Sequence, residues 1–179
     1  VPAYSEFSFG LGRQPGRDPL GHHEEAVVDG YRLRGSIDLV EHDPKRDCWR
    51  VTEHKTGKAP RERYLAVGHG EILQPLVYAL AAEYHLGATI EAGRLFYCTR
   101  RGEFEDREVA LNRENRDKIR RVLDTVDEAI AEGFLPAAPR ERACDWCDYR
   151  IVCGPYEQVR TARKKHPLLA DLERVRRLP

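Results

Sequence analysis

The chain contains no methionine at any of its 179 positions, carries no net charge and has no long apolar run. Each absence excludes something. Lys plus Arg and Asp plus Glu number 30 each, so the whole molecule offers no attractive field to a polyanion. A nucleic acid would have to be held by a local basic patch. No stretch approaches the roughly 18 apolar residues that a membrane helix needs, and the start lacks the basic, then apolar, order of a secretory signal. The expectation is a soluble, cytoplasmic protein. The missing methionine, with an opening that runs straight into Ala3-Tyr4-Ser5-Glu6-Phe7-Ser8-Phe9, predicts a domain cut from a longer polypeptide. Its length suits a single domain with one substantial core.

What is present centres on Gly35-Ser36-Ile37-Asp38 and Thr52-Glu53-His54-Lys55-Thr56-Gly57-Lys58, separated by the polar turn segment His42-Asp43-Pro44-Lys45-Arg46-Asp47. A turn centred between Lys45 and Arg46 places 38 opposite 53, 40 opposite 51 and 42 opposite 49. Directly opposed Cβ atoms lie roughly 4.5–5.5 Å apart, and like charges placed so repel. Lys55 falls on the same face as Glu53, about 7 Å further along. Such a trio can hold a hard divalent cation, which takes carboxylate oxygens, waters and phosphate oxygens. The lysine would then hold an attacking water or steady charge on a phosphate. A solvated cross-strand ion pair is the other reading of the same spacing.

Further on, Ile72, Leu73, Leu76, Val77, Leu80 and Tyr84 recur at helical intervals. Pro75 is tolerated only near a helix's first turn, so the helix is predicted from Ile72 to Leu86, ending at Gly87. Gln74 and Tyr78 then lie one turn apart on one face. On spacing alone they read as a buried tyrosine satisfied by a glutamine. Near the end stand Cys144, Cys147 and Cys153 at C-x₂-C-x₅-C. In an intracellular protein these read as metal ligands rather than disulfides. They suit either a zinc site, with His166 as a fourth ligand, or most of an iron–sulfur cluster that needs four cysteines.

The order G-x-I-D, turn, E-x-K-T-G-K, then Gln74-x-x-x-Tyr78 and the cysteines resembles the PD-(D/E)XK nuclease superfamily, and within it the RecB-like exonuclease branch. Glu6-Phe7-Ser8-Phe9-Gly10 is similar to the strand that precedes the catalytic hairpin there. The resemblance implies a restriction-endonuclease-like α/β core, a small mixed sheet flanked by helices. It also implies metal-dependent DNA hydrolysis with exonuclease more expected than endonuclease. Asp38, Glu53 and the backbone carbonyl of His54 would bind Mg²⁺ or Mn²⁺, Lys55 would act on water and phosphate, and Gln74 and Tyr78 would place the strand. The partner would be DNA, single-stranded or at duplex ends, and a helicase domain or subunit beside it. The cysteine spacing is like that of iron–sulfur members such as AddB-type nucleases and CRISPR-associated exonucleases. Their fourth cysteine lies upstream of the nuclease strands; Cys48 and Cys98 match that position poorly. The upstream helix with its metal-binding histidine is missing as well. Two other classes stay open: a nuclease-fold module that binds DNA or organises a complex without cutting, and a zinc-stabilised interaction module.

The remaining chain fits this frame, with a core over 1–135 and a cysteine-rich segment with a basic helical tail over 136–179. An opening strand ends at the Gly10-Leu11-Gly12 and Pro15-Gly16 punctuation, and His22 and His23 read as surface residues in the following loop. Residues 24–29 add a short strand before the tight turn Asp29-Gly30. Lys58, Arg61 and Arg63 form a basic loop suited to phosphates or simply to solvent. Glu91–Cys98 and Glu103–Val109 read as a hairpin around Arg101-Gly102, with Cys98 as core. Asn112 caps a helix to about Glu132 with Ile119, Val122, Leu123, Val126 and Ile130 as its buried stripe. The tail, with Arg160, Arg163, Lys164, Lys165, Arg174, Arg176 and Arg177, reads as two short helices split at His166-Pro167. Its Leu168, Leu169, Leu172 and Val175 could dock on this domain or a neighbour, and its basic face could follow DNA.

Overall fold

The computed structural model describes residues 1–12, 21–22, 24–134, 137–140, 142–154, 156–163 and 169–179. His23, Lys164, Lys165, His166, Pro167 and Leu168 lie outside them, as does the Pro15-Gly16 pair. Seven strands are described: β1 (Pro2–Phe9), β2 (Ala26–Val28), β3 (Tyr31–Leu33), β4 (Gly35–Asp43), β5 (Cys48–Lys55), β6 (Ile90–Tyr97) and β7 (Asp106–Ala110). β2 and β3 form a separate ribbon, turned by Asp29 and Gly30, both with positive φ. The main sheet runs in the order β1-β4-β5-β6-β7. Every neighbouring pair is antiparallel except β5 and β6. Parallel neighbours need a long crossover, and α1 (Gln74–Leu86) supplies it. The architecture is α/β, a small mixed sheet flanked by helices.

The β4–β5 turn has the expected register, with Val40 opposite Val51 and His42 opposite Trp49. β1 departs from simple alternation. Glu6 sits at φ 51°, and this break lets Phe7, Ser8 and Phe9 all become buried. Residues after β1 fold back on it, with the His22 amide donating to Ser8 O (2.7 Å) and the Gly10 amide to Glu24 O (2.8 Å). His22 is therefore not a bare surface residue: its ring stacks on His85, centroids 4.3 Å apart.

α1 begins two residues later than expected, with Leu73 as its N-cap and Pro75 in its first turn. It is not one-sided. Pro75, Leu76, Ala79, Leu80, Ala81 and Ala82 are all buried, whereas Tyr84 is exposed, because the helix packs on β5 and β6 while also touching β2 and the next helix. That helix, α2 (Arg113–Ala131), is capped by Asn112, whose side chain accepts from the Asn115 amide at 2.9 Å. Its expected stripe is buried at Ile119 and Val122 but exposed at Val126 and Ile130.

Three short helices follow: α3 (Arg150–Cys153), α4 (Glu157–Ala162) and α5 (Ala170–Arg176). The last docks on this same domain. Val175 is buried in the main core. The Val67 and His69 amides donate to Pro179 O and Leu178 O, each at 2.9 Å.

Candidate active site

The site forms where β4 and β5 part company. Their ladder ends at Leu39 opposite Thr52, one step short of the expected pairing of 38 with 53. Beyond that point β4 is paired with β1 through Ile37, Ser36 and Gly35, and β5 with β6 through Glu53, His54 and Lys55. Asp38 bridges the fork: its Oδ2 accepts the backbone amide of His54 at 2.7 Å. The His54 Nδ1 lies 3.5 Å from the same oxygen, a contact the motif spacing did not reveal, since strand alternation turns that ring away from Glu53 and Lys55.

Glu53 and Lys55 keep to one face, and α1 is laid over them. Gly93 permits this. It sits beside Val51 in the β5–β6 pairing, and a Cβ on it would lie 2.0 Å from Pro75 O. Only a residue without a side chain allows the first turn of α1 so close, and that turn carries Gln74 onto Glu53. Gln74 bonds both partners, donating Nε2 to Glu53 Oε1 at 2.8 Å and accepting Lys55 Nζ on Oε1 at 2.5 Å. Lys55 Nζ also reaches Glu53 Oε1 at 3.1 Å. One turn on, Tyr78 feels the charges of Glu53 and Asp38 and a hydrogen bond with Gln74. Asp38, Glu53, Lys55, Gln74 and Tyr78 are thus brought into one cluster.

Its electrostatics are those of a half-buried carboxylate pair. Burial pushes the Glu53 carboxyl up, and the charge of Asp38 adds to this, outweighing the ion pair with Lys55 and the bond from Gln74. Burial likewise pushes the Tyr78 hydroxyl up, with both carboxylates adding to it. The decisive asymmetry is at Glu53 itself: Oε1 takes two donors, while Oε2 is buried with no hydrogen-bond partner. An orphaned buried carboxylate oxygen is costly and calls for a partner. A hard divalent cation, bound through one or two carboxylates with waters filling the rest, fits this donor set.

The match is to the family described as the PD-(D/E)XK nuclease superfamily, over residues 1–154. The chain belongs to that superfamily. No curated protein matches it. As a PD-(D/E)XK protein with a five-stranded mixed sheet flanked by helices, it has a restriction-endonuclease-like fold and a nuclease-type function with DNA as substrate. Members of this superfamily generally use Mg²⁺ or Mn²⁺, in keeping with the oxygen donors of Asp38 and Glu53. No described helix is long and apolar enough to cross a membrane.

The cysteines behave differently. Cys144 is buried in a 3₁₀ turn over Ala143–Trp146, Cys147 is exposed, and Cys153 ends the four-residue α3. Among the described residues no group of three or more His, Cys, Asp or Glu side chains could hold a metal ion. The three thiols form no such group among the described residues. Sequence spacing fixes how far apart thiols can be along the chain but not whether they converge. His166 lies outside the described residues, Cys48 is buried at the far end of β5, and Cys98 donates its thiol to Lys55 O at 3.6 Å.

The opposite face of the sheet carries a network that sequence reading missed. Arg94 donates to Thr52, Glu41 and Asp106 (2.9–3.0 Å), and Arg50 to Glu41 and Glu108 (3.0–3.3 Å). Burial works against the Glu41 charge, yet bonds from Thr52 and Arg50 and the charge of Arg94 hold its carboxyl below the usual range. The signal was there in charges spread over four strands, and it needed the β5–β6 register to be read.

Proposed function

We propose that the chain hydrolyses phosphodiester bonds in DNA with a divalent cation, Mg²⁺ or Mn²⁺, held by Asp38 and Glu53. The observation that carries this is the buried, unpartnered Oε2 of Glu53 beside the second carboxylate. The backbone carbonyl of His54 is the third protein ligand in this reading. When bound, the cation supplies Lewis-acid charge at the scissile phosphate.

The protein's own groups do the rest. Lys55, fixed between Glu53 and Gln74, presents its amino group toward the phosphate. There it orients the attacking water and offsets the charge that grows in the transition state. Gln74 keeps both Glu53 and Lys55 from swinging away, a positioning role, and Tyr78 offers its hydroxyl to the strand.

We further assign the chain to the RecB-like branch, as the nuclease unit of a DNA repair or helicase-nuclease protein acting from ends. The support is the Gln74-x-x-x-Tyr78 spacing and the C-x₂-C-x₅-C segment. Incubation of end-labelled linear DNA and closed circular DNA with Mg²⁺ or Mn²⁺ tests both levels. Degradation of linear DNA alone is expected. Cleavage of the circle would remove the exonuclease assignment, and no cleavage of either would remove the nuclease proposal.

A further inference from the structure

Many arginines of the described fold are paired with carboxylates: Arg32 with Glu25, Arg46 with Glu91, Arg50 and Arg94 with Glu41, Arg116 with Glu83, Arg120 with Asp29, Arg140 with Glu71. Two loops beside the active site gather cations that are not paired in this way. Lys58, Arg61 and Arg63 follow Lys55, and Arg100 and Arg101 form the turn between β6 and β7. All five are exposed, and among the described residues none has a carboxylate partner. Glu62, between two of them, is taken by His69 at 3.2 Å.

The two loops are one structure. The Cys98 amide donates to Lys55 O (3.0 Å) and the Thr99 hydroxyl to Thr56 O (3.1 Å). Gly102 is pressed so close that a Cβ would lie 2.8 Å from Gly57 O. At the loop's other end Arg107 donates to Pro60 O at 3.1 Å. The cations are therefore staked to the backbone that carries Lys55.

The same turn exposes an aromatic ring. Glu103 and Phe104 take successive left-handed conformations, φ 57° and 53°, which bulky residues rarely adopt. Hydrogen bonds from the Gly102, Phe104 and Glu105 amides to Thr99 O, Thr99 O and Gly102 O close the turn (3.0–3.3 Å). The result leaves Phe104 59% exposed, with no ring or cation contact among the described residues. Strained backbone of this kind gathers at ligand clamps.

We propose that these two loops seat single-stranded nucleic acid, with Lys58, Arg61, Arg63, Arg100 and Arg101 on backbone phosphates and Phe104 stacked on an unpaired base. This deepens the nuclease reading and rests on it for the identity of the polymer. Duplex bases are already stacked and offer Phe104 no face, so the ring selects a frayed or single strand.

The test is fluorescence anisotropy of labelled oligo-dT and of a blunt DNA hairpin across a salt series, in EDTA so that binding is measured without cleavage. Arg100→Ser/Arg101→Ser is expected to flatten the log K against log salt slope for oligo-dT by roughly 0.7 per lost contact. Arg113→Ser/Arg121→Ser on α2 is expected to leave it unchanged. Phe104→Ala is expected to weaken oligo-dT binding roughly fivefold or more with the slope intact and hairpin binding unaffected, and Phe104→Trp to restore it. Far-ultraviolet melting confirms that each variant is folded. Equal effects from the two arginine pairs, an oligo-dT affinity indifferent to Phe104→Ala, equal weakening on the hairpin, or no binding by the wild-type chain at low salt would each overturn the proposal. If the wild-type chain binds as described yet cuts nothing with Mg²⁺ or Mn²⁺, the seat stands and the nuclease reading falls.

Discussion

Two regions of this chain carry the marks of metal chemistry in their sequence, and the fold frames them differently. The carboxylates at the β4–β5 fork are held in place by protein alone. Strand register brings Asp38 and Glu53 to adjacent ribbons, the His54 amide fixes one, and Lys55 with Gln74 fixes the other. The segment with Cys144, Cys147 and Cys153 has no such frame. Its elements are a 3₁₀ turn and helices of four and six residues, and Trp146, Tyr149, Ile151 and Val152 around the thiols are 74–93% exposed. A site resting on a sheet is built by hydrophobic burial before any ion arrives. A site in a segment too small for a core must draw its folding energy from the ion itself.

The largest effect that could break this contrast is on cleavage. Lys55→Ala is expected to lower the rate of DNA hydrolysis by about 10²–10³ or more, the scale for removing one charge-stabilising group, while anisotropy shows DNA still bound. A serine in place of any of the three cysteines should not approach that loss. Second comes the packing beneath the site. Gly93→Ala drives a methyl into Pro75 O and is expected to cost about 1–3 kcal/mol in urea unfolding, with cleavage falling as Gln74 is displaced. A cost near zero would mean that α1 is not pinned where the geometry has it.

Third is a pH effect with a definite sign. Because burial raises the Glu53 carboxyl in the fold, the native state binds more protons than the unfolded chain above the usual carboxylate range. Metal-free stability therefore declines as pH rises through that window. Glu53→Gln, which keeps the bonds on Oε1, should flatten that decline and melt at or above the wild type in EDTA at neutral pH. His85 has the opposite sign. Burial, and then the charge of His22, hold its imidazole below the usual value, so its contribution is present above the ordinary histidine value and is lost as pH falls through the depressed one. The smallest expected effect is at the thiols: Cys147→Ser/Cys153→Ser should change stability by no more than about 0.5 kcal/mol, and the purified chain should show no absorbance shoulder near 400 nm. A shoulder there would show that the segment closes around a cluster after all.

How much of this was legible in the sequence depended on whether the signal was local. The Asp-Pro turn and the apolar alternation set the β4–β5 register, since a one-residue slip would turn Val40 and Val51 out of the core. Asn112 and Gly87 marked helix ends for local reasons too. What escaped came from tertiary packing: the kink at Glu6 that buries both Phe7 and Phe9, the stacking of His22 on His85, and which of the two open surfaces takes Val175, here the loop before α1. At the site, residue types and spacing pointed to Asp38, Glu53 and Lys55, and the family resemblance added Gln74 and Tyr78. The fork that leaves Asp38 capping an amide, and the helix approach that only Gly93 allows, required the parallel pairing of β5 with β6.

Binding of Mn²⁺ to the purified, cysteine-reduced chain, followed by the loss of the free-ion electron paramagnetic resonance signal, tests the central claim without relying on turnover. One ion per chain is predicted, lost in Asp38→Asn and in Glu53→Gln and retained when Cys144, Cys147 and Cys153 are all replaced by serine. Binding that survives both carboxylate substitutions, or that disappears with the thiols, would contradict it.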